Sequence, residues 1–249
     1  MRLLDGNGLR LAPTKAFSPC TLSTAMHKAG IRPHIVDRVM TRRGKLHWFD
    51  TLDPQRTALV VIDMQATFCE PGAPAEVAPA RGIVPAINAL SRALRGLGVP
   101  VFWVLHANSQ IDGKSDWELF FNHVVSGEMR ARTMQSLSPE NQSVWRELDT
   151  APGDVTLTKN RYSALIAGSS ALEAALRRAG IDTLLIAGTK TNICCESTAR
   201  DAMMLDFKVV MVSDCCAALS DDEHQAALET FIQQFGDVMT SGEVLARLG

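Results

Sequence analysis

A cysteine pair follows a strongly apolar segment in the stretch G-T-K-T-N-I-C-C-E-S-T-A-R-D-A at residues 188–202. The segment before it, Thr183–Gly188, has the composition of a strand buried on both faces. The residues from about Cys194 to Leu205 are predicted to form a helix, whose first turn favours a thiolate and offers N–H groups to an oxyanion. Cys194 is therefore a candidate nucleophile, although its position fits a packing cysteine equally well. Cys195 points about 100° further round the helix and is the better candidate for packing.

Two more reactive side chains end predicted strands. Asp63 closes the run T-A-L-V-V-I-D, and Lys159 closes D-V-T-L-T-K. A carboxylate in this position often only caps the next element, and a lysine there is often only solvated. A thiol, an amine and a carboxylate that converge on one sheet edge are, however, the groups that nucleophilic catalysis requires.

Strands and helices alternate from residue 57 onward. Strands are predicted at 57–63, 99–106, 154–159, 183–188, 208–214 and 238–241, and helices at 83–97, 170–179, 194–205 and 221–234. This order predicts a single doubly wound α/β domain of three layers with a six-stranded, mostly parallel sheet, which binds ligands at the carboxyl ends of its strands. Residues 107–150 interrupt the pattern with several aromatic residues, and this insertion could form a lid.

Composition restricts the class of protein. The chain has 249 residues, a formal net charge of −2 and 46% hydrophobic residues, which describes an enzyme-sized globular protein with one core. Nothing favours nucleic acid or a membrane as a partner, and neither a membrane-spanning run nor a signal peptide is evident, so a cytoplasmic location is expected. The six cysteines do not form a disulfide framework.

The first 50 residues lack clear periodicity. We predict an N-terminal arm at 1–50 and a catalytic domain at 51–249. Met26 and Met40 are alternative starts, with the preceding residues an upstream extension; equally, the arm is native and packs on a neighbouring subunit.

Three blocks of sequence resemble the isochorismatase-like cysteine hydrolases. They are V-V-I-D-M-Q at 60–65, T-K-N-R-Y-S at 158–163, and the G-x-x-T-x-x-C block with E-S-T-A-R-D-A behind it. The resemblance spans about residues 50–245 and is strongest to the ureidoacrylate, biuret and N-carbamoyl amidohydrolases. It implies that Asp63, Lys159 and Cys194 are the catalytic residues, and it selects Cys194 over Cys195 because the thiol of the family lies three residues after the threonine.

The resemblance also implies a cis peptide bond between Thr189 and Lys190 and an oxyanion hole formed by the backbone N–H groups of Lys190 and Cys194. Lys190 replaces a small apolar residue of nicotinamidases, so its side chain points either away from the pocket or into it. Nicotinamidases carry a metal-binding Asp-x-His after the second strand, whereas His106 and Asp112 lie outside that spacing here. We therefore expect no catalytic metal and no cofactor.

The function implied is a cysteine-dependent amidohydrolase that cleaves the C–N bond of a small linear amide or ureide through a thioester, releasing ammonia or an amine. Candidate substrate contacts are Gln65, Phe68, Trp117, Arg161 and Tyr162. Arg161 either clamps a carboxylate of the substrate or forms a salt bridge at the rim of the site. Alternatives are a nicotinamidase or maleamate-type amidase on the same scaffold, and a non-hydrolytic thiol redox or scaffold protein. A homodimer or homotetramer is also implied.

Overall fold

The structure is a computed structural model that describes residue 27, residues 30–125 and residues 127–248. Within these residues the strands are β1 (Thr57–Ile62), β2 (Val101–His106), β3 (Gln110–Ile111), β4 (Lys114–Ser115), β5 (Val155–Lys159), β6 (Thr183–Thr189), β7 (Lys208–Ala217) and β8 (Asp237–Met239). The α-helices are α1 (Pro33–Arg43), α2 (Ala66–Cys69), α3 (Val84–Gly96), α4 (Gly127–Ser136), α5 (Leu172–Arg178), α6 (Glu196–Met204), α7 (Asp221–Gln234) and α8 (Ser241–Leu245). None of the helices in this part of the chain could cross a membrane.

The central sheet has the strand order β5-β2-β1-β6-β7-β8, and every neighbouring pair in it is parallel. The chain runs outward from β1 to β5, returns to place β6 on the other side of β1, and continues outward to β8. The order therefore reverses between β1 and β6, and ligands of such sheets bind in the crevice at this switch point. The predicted fold is confirmed.

Both faces of the sheet are covered because residues of the central strands alternate between two apolar cores. Ala58, Val60 and Ile62 of β1 pack in a core completed by α1, α5, α6 and α7, whereas Leu59 and Val61 pack in a core completed by α3 and α8. This burial on both faces explains the continuous apolar runs of the sequence.

A glycine sets the spacing of β1 and β6 at the switch point. Gly188 has φ +109°, and a Cβ atom at this position would lie 2.1 Å from the carbonyl oxygen of Ile62. Only a residue without a side chain permits this approach. The first glycine of the G-x-x-T block is therefore required by packing.

The segment after β2 folds over the carboxyl edge of the sheet. It contains the β3–β4 hairpin, a π-helical turn at Phe120–Val124 and α4. Phe121, Met134 and Leu137 form a small separate core within it. The predicted insertion thus forms a structured cover over the end of the sheet.

The predicted arm lies partly outside the described residues, and so does Met26. In the described part, α1 packs on α7 through buried Ile35 and Val39, and Arg32 forms an ion pair with Glu229. Met40 lies within α1. The boundary at residue 50 stays a prediction.

Candidate active site

Four neighbouring strands each place one reactive side chain at the carboxyl edge of the sheet. Lys159 ends β5, His106 ends β2, Asp63 follows β1, and Cys194 lies in the turn after β6. All four are buried, with exposed fractions of 4% or less. The structure thus brings together the three residues singled out from the sequence and adds a histidine between two of them.

The ammonium group of Lys159 lies at the centre of this cluster. Its Nζ donates to Asp63 Oδ2 at 3.0 Å, to His106 Nδ1 at 3.3 Å and to the carbonyl oxygen of Arg161 at 3.1 Å. Burial by itself lowers the pKa of Lys159, but the Asp63 carboxylate and the Cys194 thiol together outweigh burial and raise it. Lys159 is therefore charged, and all three of its N–H donors have acceptors.

Asp63 has one oxygen held and one available. Oδ2 accepts from Lys159, whereas Oδ1 is buried and has no hydrogen-bond partner among the described residues. Burial raises the pKa of the Asp63 carboxyl against the opposing effect of Lys159. The backbone of Asp63 has φ +56°, a conformation that is uncommon outside glycine and that aspartate tolerates through its short polar side chain. Oδ1 is thus placed to accept a proton.

Cys194 lies in a π-helical turn, Thr191–Cys195, that precedes α6. Its Sγ, one carboxylate oxygen of Asp63 and one ring nitrogen of His106 all lie within 4.8 Å of one another. Burial, followed by the charge of Asp63, raises the pKa of the Cys194 thiol, and Lys159 only partly offsets this. Burial thus opposes the preference for the thiolate that is expected from the first helical turn and from Lys159.

The neighbouring thiol has a packing role. Cys195 is fully buried, and its Sγ lies 3.8 Å from the carbonyl oxygen of Ala187 in β6. The Cys195 side chain therefore packs against β6 within the apolar core.

His106 is held as a neutral imidazole. Nδ1 accepts from Lys159, so Nε2 carries the proton and donates to Asn108 Oδ1 at 2.8 Å. Asn108 in turn donates to Asp116 Oδ1 at 2.7 Å. Burial, followed by the charge of Lys159, lowers the pKa of His106 well below its ordinary value. The sequence had pointed to His106 only as a misplaced metal ligand, although its pairing with Lys159 follows from the parallel register of β2 and β5.

Asp63, His106 and Cys194 are all residue types that bind metal ions. The Lys159 ammonium already lies within 3.3 Å of both Asp63 Oδ2 and His106 Nδ1. The other ring nitrogen of His106 faces Asn108. A divalent cation would have to displace a buried ammonium, so these residues do not fit one.

A cavity of about 190 Å³ opens onto Cys194. One end is polar and carries Cys194, His106, Lys190 and the half-buried Tyr162. The remainder is mainly apolar and is contributed largely by the segment that covers the sheet edge: Phe68, Ala75, Phe120, Phe121, Val125, Met129, Thr133, Leu137 and Ile193. The cavity can therefore present a small, largely apolar molecule to the thiol.

The residues chosen as substrate contacts divide into two groups. Phe68 and Tyr162 line the cavity, whereas Gln65, Trp117 and Arg161 do not. Gln65 is buried, and its amide accepts from the N–H of His106 at 2.7 Å and donates to the His106 carbonyl oxygen at 2.9 Å and to Gln142 Oε1. Both the oxygen and the nitrogen of the amide are therefore hydrogen-bonded within the protein, so Gln65 stabilises the end of β2 and does not face a ligand.

Trp117 and Arg161 support the cavity wall from behind. Trp117 stacks on His106 at 5.8 Å between ring centroids and contacts Tyr162 at 4.7 Å. The guanidinium of Arg161 lies 5.4 Å from the Trp117 ring centroid and donates to the carbonyl oxygens of Asn160 and Asp116. The suggested carboxylate clamp by Arg161 is therefore at odds with the structure, because the guanidinium is bound to the backbone.

The turn between β6 and the thiol has the expected backbone. The Thr189–Lys190 peptide bond is cis, and the carbonyl oxygen of Lys190 accepts from the N–H groups of Ile193 and Cys195 at 3.1 and 3.2 Å. Lys190 is among the residues that line the cavity.

Comparisons with known proteins identify the family of the chain. The family model described as Isochorismatase domain matches residues 57–243. The isochorismatase family protein YecD of Escherichia coli O157:H7 is 30% identical over 201 residues, which cover 79% of this chain and 98% of YecD. A cysteine hydrolase from Pseudomonas syringae is 30% identical with a TM-score of 0.67, and the match covers 80% of this chain and 94% of that one. The pyrazinamidase/nicotinamidase of Streptococcus mutans, 23% identical with a TM-score of 0.59 over 74% of this chain and 99% of that one, shares the fold. The chain therefore belongs to the isochorismatase family, whose members are hydrolases.

Proposed function

We propose that the protein is an amidohydrolase that uses Cys194 to cleave the C–N bond of a small linear amide or ureide through a thioester. The observation that carries the proposal is the buried cluster of Cys194, Asp63 and Lys159, in which Cys194 also lines a cavity of about 190 Å³. A protonated thiol beside a carboxylate oxygen without a partner is the arrangement that general-base activation of a nucleophile needs. The sequence resemblance to ureidoacrylate, biuret and N-carbamoyl amidohydrolases supports the same chemistry.

In the first half-reaction, Asp63 Oδ1 takes the thiol proton while Cys194 Sγ attacks the carbonyl carbon. The tetrahedral intermediate carries its charge on the former carbonyl oxygen, and the backbone N–H groups of Lys190 and Cys194 are the proposed donors to it. The intermediate collapses as the C–N bond breaks and Asp63 returns the proton to the leaving nitrogen. Ammonia or an amine departs, and the acyl group remains on sulfur.

In the second half-reaction, Asp63 takes a proton from a water molecule while the oxygen of that water attacks the thioester carbon. The C–S bond breaks, the proton returns to the sulfur, and the carboxylic acid is released. Lys159 stays charged throughout, so it holds Asp63 in position and offsets the negative charge that moves between carboxylate, sulfur and oxyanion. His106 is proposed to fix the direction of the ammonium.

A thiol redox function has less support. A redox pair would need Cys195 to reach Cys194 on the cavity side, whereas Cys195 is fully buried against the Ala187 carbonyl oxygen. In the described part of the chain every cysteine is buried, and only Cys194 lines the cavity, so no second thiol is presented beside it.

Release of ammonia from a panel of amides and ureides tests the proposal. The panel contains biuret, ureidoacrylate, N-carbamoyl amino acids, short half-amides of dicarboxylic acids and nicotinamide, each with and without a chelator. We expect chelator-insensitive release from at least one class, loss of that release in Cys194→Ala, and retention of most of it in the matched Cys195→Ala variant. Full activity in Cys194→Ala, or silence across the panel, would contradict the proposal.

A further inference from the structure

The two residues that flank Lys190 are fastened to other elements through their side chains. Thr189 Oγ1 donates to the carbonyl oxygen of Ala217 at the end of β7 at 3.1 Å, and Thr191 Oγ1 lies 2.8 Å from Nδ1 of His224 in α7. Thr189, Thr191 and His224 are all fully buried. The backbone N–H of Lys190, a proposed donor to the oxyanion, therefore lies between two anchored neighbours.

A second imidazole covers the ring of His224. The rings of His27 and His224 stack with their centroids 4.6 Å apart and their planes inclined by 21°, and the His27 side chain is only 4% exposed. The N–H of Ala218 donates to His27 Nε2 at 3.0 Å, and His27 Nδ1 lies 2.7 Å from Asp221 Oδ1. His27 thus bridges the end of β7 and the first turn of α7, which are the elements that hold the two threonine side chains.

The position of the turn matters for catalysis because an oxyanion hole works only if its N–H groups already point at the place that the oxygen will occupy. A displacement of about 1 Å can cost about 100-fold in rate. The bonds from the N–H groups of Ile193 and Cys195 to the Lys190 carbonyl oxygen fix the shape of the turn. Its place relative to the sheet depends on contacts outside the turn, among them those of Thr189 and Thr191.

Resting on the proposed amidohydrolase function, we propose that His224 positions the oxyanion hole of Cys194 through Thr191, and that His27 of the N-terminal arm holds His224 in place. Neither imidazole lines the cavity onto which Cys194 opens, so both act as positioning residues. The arm then contributes to catalysis, although it precedes the first strand of the sheet.

Acylation of Cys194 by 4-nitrophenyl acetate tests this inference without a known amide substrate. Sγ bonds to the acetyl carbon, and the tetrahedral intermediate carries its charge on the former carbonyl oxygen. The C–O bond then breaks and releases 4-nitrophenolate, while the thiol proton passes to Asp63. Alkylation of the same thiol by iodoacetamide displaces iodide directly and has no such intermediate. A misplaced oxyanion hole should therefore slow acylation and leave alkylation unchanged.

Thr191→Val keeps the shape of the side chain and removes its hydroxyl. We expect the Cys194-dependent release of 4-nitrophenolate to fall about 10- to 100-fold, with alkylation within about twofold of wild type. Thr191→Ser restores a hydroxyl and should recover most of the rate. The matched control is Thr57→Val at the start of β1, where another buried threonine hydroxyl donates to the carbonyl oxygen of Asp53. This control should leave acylation unchanged.

The histidines are tested in the same assay. His224→Phe should slow acylation as Thr191→Val does, and the double variant should be no slower than either single one, because both substitutions remove the same contact. His27→Ala should slow acylation about 3- to 10-fold, since the His224 ring keeps its bond to Thr191 but loses its stacking partner. His34→Ala, at an exposed position of α1, is the control.

The outcomes separate this inference from the proposed function. If acylation in Thr191→Val and His224→Phe equals that of wild type, or if alkylation changes as much as acylation, the positioning role is wrong and the amidohydrolase stands. If the amide panel yields no Cys194-dependent ammonia but acylation shows the expected losses, the positioning role stands and the amide chemistry is wrong. Absence of Cys194-dependent acylation in wild type would overturn the inference, since no oxyanion hole would then serve the thiol.

Discussion

Lys159 Nζ lies 3.0 Å from Asp63 Oδ2, although the strands that carry the two residues are separated by β2. The lysine side chain crosses the end of β2, where it also meets His106 Nδ1. Both members of the ion pair are buried, with exposed fractions of 1% and 0%. Such a pair stabilises little by comparison with apolar residues, but removal of one partner leaves a buried charge that is costly.

Replacement of Lys159 should therefore affect both stability and turnover. We expect Lys159→Met to lower the free energy of unfolding by about 3–5 kcal/mol, because the Asp63 carboxylate loses its buried partner. Amide hydrolysis should fall by about 1,000-fold or more. The matched control is Lys45→Met, which breaks the exposed pair with Asp50 and should leave the free energy of unfolding almost unchanged. Urea unfolding of both variants measures the difference, and equal losses would contradict a buried ion pair.

Asp63→Asn should separate thiol reactivity from catalysis. The substitution keeps the shape and suits φ +56°, but it removes the proton acceptor, so hydrolysis should fall about 1,000-fold or more. The negative charge of Asp63 contributes to the raised pKa of the Cys194 thiol. Its removal should lower that pKa, so that alkylation of Cys194 by iodoacetamide near neutral pH becomes faster.

Mass spectrometry of the Cys194 peptide measures the alkylation rate directly. Faster alkylation together with lost hydrolysis supports Asp63 as the base. Slower alkylation in Asp63→Asn would show that the carboxylate activates the thiol in the resting state, and the proton-transfer sequence proposed here would be wrong.

His106 should act as a positioning residue. In His106→Ala one N–H of the Lys159 ammonium loses its acceptor, and an unpaired buried donor costs about 1–3 kcal/mol. We expect kcat to fall about 10- to 100-fold, and any change in KM to come from loss of the His106 ring from the cavity wall. His106→Gln can supply an acceptor oxygen and should recover part of kcat. The exposed His123→Ala serves as control, and an unchanged kcat in His106→Ala would exclude the role.

The sequence allowed prediction of the sheet and of three site residues because these depend on local patterns. Continuous apolar runs marked the inner strands, and the alternating segment V-T-L-T marked the edge strand β5. The residues that end β1 and β5, Asp63 and Lys159, indicated the edge where they meet. The state of Cys194 was not predictable in this way. Its pKa depends on how completely the segment after β2 buries it, and that burial is a property of the tertiary structure.

Side-chain direction within the site was also beyond local reasoning. Gln65 and Arg161 were chosen as ligand contacts because they follow catalytic positions in the chain. In the structure their polar groups bind backbone atoms of neighbouring segments. Proximity in sequence therefore identified the right loops but not the groups that face the cavity.

The turn that carries Cys194 is fastened to α7 by a buried histidine, and this should make stability depend on pH. Thr191 Oγ1 lies 2.8 Å from His224 Nδ1, and His224 is fully buried. Burial, followed by the charge of His27, lowers the pKa of His224 to about 4. An unfolded histidine titrates at about 6.5, so the contribution is complete above that pH and is lost as the pH falls towards about 4.

Between about pH 7 and about pH 5, His224 becomes protonated in the unfolded state but stays neutral in the folded state. The free energy of unfolding of wild type should therefore fall by about 2 kcal/mol over this interval because of His224. His224→Gln removes this titration, so its own loss over the same interval should be smaller by that amount. Urea unfolding at the two pH values measures the difference, with His34→Gln as an exposed control. Loss of the Thr191 contact in His224→Gln lowers the free energy of unfolding by the same amount at both pH values, so it does not affect this difference. Equal losses in wild type and His224→Gln would mean that folding does not lower the pKa of His224.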